Sequence, residues 1–304
     1  YAQGQTTPEA LTFLRKIYEA TQNLSYTGTF IYQQGTRSET SRITRLAGRD
    51  GGLERLEVLD GEPREIFRSN EGVRCYLPQT RTLKMDRQGE ARGFPALVPE
   101  RAAQLAAHYT VTLGRRTRVA GIECRFVLLD PTDELRYGHA LCADPATGML
   151  LKSITYNEKR EHIEMFAFTQ LSIGNVKREA VLPPQARADW RVEDARVKPA
   201  DLARAGWSVT PNLPGFRKIV EVTRMLREAR PVSQVVYSDG LAAVSVFIEA
   251  ARAGGEPVRH GLASVGGIHI FRREVADHVV TVVGEAPAAS VQRVAEQVRY
   301  RRPQ

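Results

Sequence analysis

The sequence predicts an α+β, mainly β protein. A large antiparallel sheet curls into an open half barrel with helices on its concave side, and a small α+β domain follows. Three observations predict this. Between Leu24 and Gln170 the chain runs in short alternating apolar and polar stretches separated by turn residues, the period of half-buried antiparallel strands. Helical periodicity interrupts that region only before it and near residue 100. Composition then shifts to an Arg-, Asp- and Pro-rich stretch from Leu182-Pro183-Pro184 to Lys198-Pro199, and at 304 residues the chain exceeds the usual single-domain size.

The first element is a helix. Thr7 suits the N-cap, Pro8 the first helical position, and Ala10, Phe13, Leu14, Ile17 and Tyr18 fall on one face, with Asn23 as the stop. Strands are expected over 26–32, 40–46, 55–59, 64–68, 72–77, 80–85, 109–114, 122–129, 137–144, 150–157 and 162–171. Turns such as Asp50-Gly51-Gly52, Asp60-Gly61 and Arg87-Gln88-Gly89 lie between them. A second helix is expected over 99–108. A sheet of about ten strands curls rather than staying flat, which makes an open barrel. The domain boundaries read as 1–182, a linker over 183–200 anchored only by Trp190 and Val192, and 201–304. In the last part strands are expected over 207–209, 217–225, 233–238, 242–249, 267–272 and 278–284, with a closing helix over 287–299. Asp239-Gly240 marks a hairpin.

Cysteine usage is informative. There is no Cys-x-x-Cys among the three cysteines, which excludes zinc-finger and thioredoxin chemistry. A hairpin folded about residue 133 sets Cys124 directly opposite Cys142, about 4.5 Å apart at Cα, within disulfide reach. A Cys124–Cys142 disulfide implies an oxidising compartment. Two buried free thiols are the alternative, and a register error of one residue breaks the pairing. Cys75 is left over.

The charge balance is +8, which suits an anionic partner. The basic residues are scattered and no nucleic-acid motif is present, so nucleic acid is not expected. The longest apolar run, near Leu241–Ile248, is far too short to cross a bilayer. An opening on Tyr1 rather than Met is read as a leader removed or left out. No nucleophile elbow, P-loop, dinucleotide fingerprint or helical His-x-x-x-His occurs, so no enzyme activity, cofactor or metal is expected. His162 and Glu164 share one strand face as a polar strip, and His269 and His278 are expected to face each other across a hairpin over 272–277. A curled sheet suggests an apolar cavity. Its candidate lining is Tyr26, Phe30 and Tyr32 on one strand, Cys75 and Leu77 on another, and Phe94 and Leu97 in a Pro-bracketed segment. The same side chains could instead fill an ordinary core.

Several ordered runs resemble one family. Residues 24–32 (Leu-Ser-Tyr-Thr-Gly-Thr-Phe-Ile-Tyr), 56–65 (Leu-Glu-Val-Leu-Asp-Gly-Glu-Pro-Arg-Glu), 236–241 (Val-Tyr-Ser-Asp-Gly-Leu) continuing to 244–249, and 280–285 are similar to signatures of the RseB/MucB regulators of the sigma-E envelope-stress response. The resemblance implies a LolA/LolB-like lipid-sensing large domain and a small domain contacting an anti-sigma factor. It implies a periplasmic regulator, its signal peptide removed. Such a regulator binds the periplasmic domain of a membrane-spanning anti-sigma factor, shields it from site-1 proteolysis, and is released by lipopolysaccharide or mislocalised lipoprotein. The ligand chemistry implied is lipid A or lipoprotein acyl chains. Tyr237, Asp239 and Leu241, inside the third signature, are the implied partner-contact residues. A periplasmic lipid or lipoprotein carrier is the alternative reading, and a homo-oligomer is left open.

Overall fold

The computed structural model describes residues 5–86, 102–184, 189–194, 197–225, 230–251 and 260–302. The chain divides into a large unit, 1–130 with 138–195, and a small unit, 131–137 with 196–304.

In the large unit, α1 (Pro8–Asn23) starts as expected. Thr7 has extended backbone and its Oγ1 accepts the Ala10 N–H at 3.2 Å. Ala10, Leu14, Ile17, Tyr18 and Ala20 form its buried face. Strands β1 (Tyr26–Gln34), β2 (Arg37–Leu46), β3 (Leu53–Val58), β4 (Glu65–Ser69), β5 (Gly72–Leu77) and β6 (Thr82–Asp86) form one meander. After α2 (Ala102–Leu105) come β7 (Tyr109–Val119), β8 (Ile122–Pro131), β9 (Gly138–Ala143), β10 (Leu150–Tyr156) and β11 (His162–Ile173), which form a second meander. The two join through antiparallel β1–β11 pairing. With β12 (Arg191–Asp194) running parallel to β6, the described residues make one twelve-stranded sheet with β12 and β7 at its open ends. It is an open sheet, not a closed barrel. α1 lies against β7, β10 and α2. Of the helix expected over 99–108, only the part from Ala102 falls within the described residues.

The expected hairpin register needs correction. Cys142 lies opposite Phe126, and Arg125 opposite Ala143. Cys124 and Cys142 are therefore diagonal neighbours. The offset is two residues, which in a period-two strand keeps both side chains on one face. The disulfide forms across that diagonal, with Cα atoms 5.5 Å apart and both cysteines fully buried.

The stretch expected as a linker also carries structure. β12 belongs to the large sheet and β13 (Val197–Pro199) to the small one. Trp190 packs on Tyr76 at 5.8 Å between ring centroids, joining Phe67, Leu83 and Met85, whereas Val192 is exposed. Few large apolar residues are needed for strands that only add to an existing edge.

The small unit contains β14 (Trp207–Ser208), β15 (Arg217–Met225), β16 (Pro231–Ser238), β17 (Ala243–Ala250), β18 (Gly261–Val265), β19 (Ile268–Val275), β20 (His278–Gly284), α3 (Ala288–Gln297) and β21 (Arg299–Tyr300). A seven-stranded sheet runs β13-β15-β16-β17-β20-β19-β18, and β14 pairs with β21. α3 covers β18, β19 and β20. Val244, Val246, Val280 and Val282 from the sheet meet Val291, Val294 and Val298 from the helix end. Residues 131–137 complete this core: Leu135 is buried in it, and Ser290 Oγ donates to the Leu135 carbonyl at 2.8 Å.

The two histidines do not face each other. Ala276 and Asp277, both at positive φ, turn a tight hairpin that sets Val275 opposite His278 and Gly284 opposite His269. His269 lies between Tyr137 Oη (3.0 Å) and Ser264 Oγ (2.6 Å), and burial lowers its pKa. His278 packs edge-to-face against Trp207.

Candidate functional site

The register of the large sheet sets the described members of the predicted cavity lining on one face. One row of cross-strand partners reads Tyr26, Arg45, Glu54, Arg68, Val73. The next reads Gly28, Ile43, Leu56, Ile66, Cys75. Phe30, Ser41 and Val58 follow. Tyr26, Phe30, Tyr32, Cys75 and Leu77 therefore share one face, although β1 and β5 lie four strands apart. Tyr26 and Phe30 are buried, and Tyr32, Cys75 and Leu77 half-buried. Phe94 and Leu97 lie outside the described residues.

Neighbouring β11 supplies two aromatics that sequence reasoning missed. Phe166 and Phe168 pack edge-to-face on Phe30 at 5.1 and 6.0 Å, and on each other at 5.0 Å. Phe168 also meets Tyr26 at 6.0 Å. Alternation within β11 was the available signal, but only the β1–β11 pairing makes these residues part of the face. Beside this apolar patch sits an ionic one. Glu54 is buried and ion-paired with Arg68 and, at 3.7 Å, with Arg45, whose Nη2 donates to the Gly51 carbonyl. Burial, reinforced by the Glu54 charge, pushes the Tyr26 hydroxyl well above the usual phenol range. Burial likewise raises the Cys75 thiol.

Gly28 sets how closely the aromatics approach. A Cβ there would lie 2.5 Å from Phe168 Cε1 and 2.8 Å from the Gln170 carbonyl oxygen, so side chain and backbone would both have to move. Gly28→Ala is expected to cost about 1–3 kcal/mol of stability, measured by urea unfolding, through overpacking. A cost below about 0.5 kcal/mol, the scale of ordinary surface substitutions, would show that this face is not tightly packed.

The partner-contact residues implied by the resemblance are placed differently from one another. Tyr237 is buried and its hydroxyl donates to the Val209 carbonyl at 2.6 Å. Burial raises its pKa to about 12. Asp239 is buried as well. Its Oδ1 accepts from the Leu241 and Ala242 N–H groups at 2.9 Å, and its Oδ2 pairs with Arg136 Nη1 at 3.0 Å. Of the three, only Leu241 retains partial exposure. Within the small unit Tyr237 braces 207–210 and Asp239 closes the Asp-Gly turn. Among the described residues no cluster of His, Cys, Asp or Glu is arranged to hold a metal, and no helix is long and apolar enough to cross a membrane.

Comparison with known proteins decides the family. Residues 9–198 match the MucB/RseB N-terminal domain and residues 201–299 the MucB/RseB C-terminal domain. The chain belongs to the MucB/RseB family. The sigma factor AlgU regulatory protein MucB of Pseudomonas aeruginosa is 32% identical over 301 residues, covering 96% of this chain and 91% of that protein. The sigma-E factor regulatory protein RseB of Escherichia coli K12 is 24% identical, covering 98% and 93%. The crystal structure of MucB in complex with MucA(peri) matches with TM-score 0.73 and 30% identity over 96% of this chain and 98% of that one. MucB/RseB proteins are regulators rather than enzymes.

Proposed function

We propose that this chain is a periplasmic regulator that binds the periplasmic region of a membrane-spanning anti-sigma factor. One observation carries the reading. The likeness to MucB seen in complex with MucA(peri) spans both units at nearly full coverage of both chains, so the parts needed to hold such a partner have counterparts here. A disulfide-bonded, buried cysteine pair supports an oxidising compartment.

In the finer reading, the bound regulator shields the anti-sigma factor from site-1 proteolysis, and lipopolysaccharide or mislocalised lipoprotein releases it. On the shared face, the partly exposed Tyr32, Cys75 and Leu77 support acyl-chain binding, each buried CH₂ adding about 0.8 kcal/mol. The excess of +8 charges supports a phosphorylated lipid. Release requires that lipid favour the state with low affinity for the anti-sigma factor. The experiment mixes the full chain with the periplasmic region of the anti-sigma factor encoded beside its sigma factor. A stable complex by size exclusion, slower site-1 cleavage, and loss of both on adding lipopolysaccharide are expected. Absence of a complex overturns the reading. A complex that lipopolysaccharide leaves intact overturns the release step alone and leaves the same aromatic face to the lipid-carrier reading.

A further inference from the structure

We infer that the cleft in the small unit framed by residues 202–210, β15, β16 and β21 is a docking groove for an acidic, amphipathic peptide segment. The inference rests on the reading above, which makes the anti-sigma periplasmic region the source of that segment. The cleft has a volume of about 940 Å³. Its floor is apolar: Leu202, Trp207, Val235 and Tyr237 are buried beneath it, and Tyr300 is half-buried at its side. Its rim is basic. Arg204, Lys218, Arg299, Arg301 and Arg302 are all exposed there, against one carboxylate, Glu221. Glu221 is already committed to Lys218 Nζ and to the Leu202 N–H at 2.7 Å. Five cations and one anion leave a formal excess of four, half of the +8 carried by the whole chain. Five of the chain's 43 Lys and Arg residues thus meet on one concavity with a single carboxylate. Among the described residues Arg204, Arg301 and Arg302 have no carboxylate partner.

The walls are held by backbone, so the groove is formed before anything binds. Trp207 pairs with Tyr300 and Ser208 with Arg299. The Trp207 N–H donates to the Leu202 carbonyl and the Arg301 N–H to the Gly206 carbonyl, both at 2.8 Å. Preformed geometry lowers the ordering cost of association. A recessed apolar floor takes apolar side chains, and a ring of exposed guanidinium groups takes carboxylates, often as bidentate pairs. A flat bilayer surface would not reach a floor set below its rim, which favours a peptide over a membrane. Tyr237, its hydroxyl committed to the Val209 carbonyl, is part of this floor. The family signature around it therefore builds the groove from beneath.

The test compares full chains carrying Arg204→Glu with Arg301→Glu against controls carrying Arg49→Glu with Arg115→Glu. The control pair is exposed and outside the cleft, and changes the net charge equally. The probe is the fluorescently labelled anti-sigma periplasmic region, and the readout is anisotropy at low and moderate salt. Cleft reversal is expected to weaken binding about tenfold or more and to flatten its salt dependence, with controls within about twofold. Arg204→Lys with Arg301→Lys should retain most affinity, which separates charge from misfolding. Wild-type binding with unchanged affinity in the cleft variant overturns the groove while the proposed function stands. Equal weakening in the controls overturns it as diffuse electrostatics. Lost binding to phosphatidylglycerol vesicles with peptide affinity intact reassigns the cleft to lipid and also overturns it. A wild-type chain that does not bind the probe removes both readings.

Discussion

Replacing Arg136 by Ala is expected to destabilise the protein by about 3–5 kcal/mol, the usual cost of removing one member of a buried ion pair. The Arg136 side chain has no solvent exposure, and Asp239 has 2%. The guanidinium bonds Asp239 at 3.0 Å, Asp133 at 3.0 Å and the Pro214 carbonyl at 2.7 Å, and it lies over the Phe216 ring. Truncation removes the guanidinium that faces the buried Asp239 carboxylate, and strips the donor from the Pro214 carbonyl. Bringing two charges out of water is itself costly, so removing both together should hurt far less. Arg136→Met with Asp239→Asn is expected to recover most of the loss, because the asparagine carbonyl can still accept from Leu241 and Ala242. Urea unfolding of Arg136→Met, Asp239→Asn and the double variant gives the coupling directly. A single-variant cost under about 1 kcal/mol, the scale of an exposed pair, would sink the assignment of this pair as a buried anchor of the small unit.

Arg136 also marks the limit of sequence reading. Its partner lies 103 residues away, and nothing local distinguishes a turn arginine that is buried from one that is solvated. The strands were legible because alternation and turn residues are local properties. 72–77, 217–225 and 278–284 come out with the bounds that periodicity assigns. β7 runs on to Val119, past the expected 114, because its second half is an exposed ribbon of arginines without an apolar face. β18 escaped because Gly261-Leu262-Ala263-Ser264-Val265 is mostly exposed and lacks alternation. Site residues depend on register summed over several strands. Tyr26 and Cys75 share a face only through four successive pairings, and a wrong count of one in any of them would part them. The Cys124–Cys142 geometry illustrates the point, since the face was right and the opposing partner was not.

That disulfide carries the second large effect. Changing both Cys124 and Cys142 to Ala is expected to cost about 3 kcal/mol, because the bridge closes a loop with a sequence separation of 18 and that loop entropy returns to the unfolded chain. The sulfurs are buried, so the native protein should resist reductant and lose the bond only as it unfolds. Thiol labelling separates the cases. Without reductant, labelling under denaturing conditions should find one thiol, Cys75, and after reduction three. In the native state Cys75 should react slowly, since burial raises its pKa and depletes the thiolate. In the double variant the unfolded chain regains the loop entropy that the bridge removed. Measured by urea midpoint at unchanged slope, a drop of about 3 kcal/mol reports that entropy. An unchanged midpoint, or three thiols in the unreduced chain, would remove the bridge from the account of this fold and with it the compartment it implies.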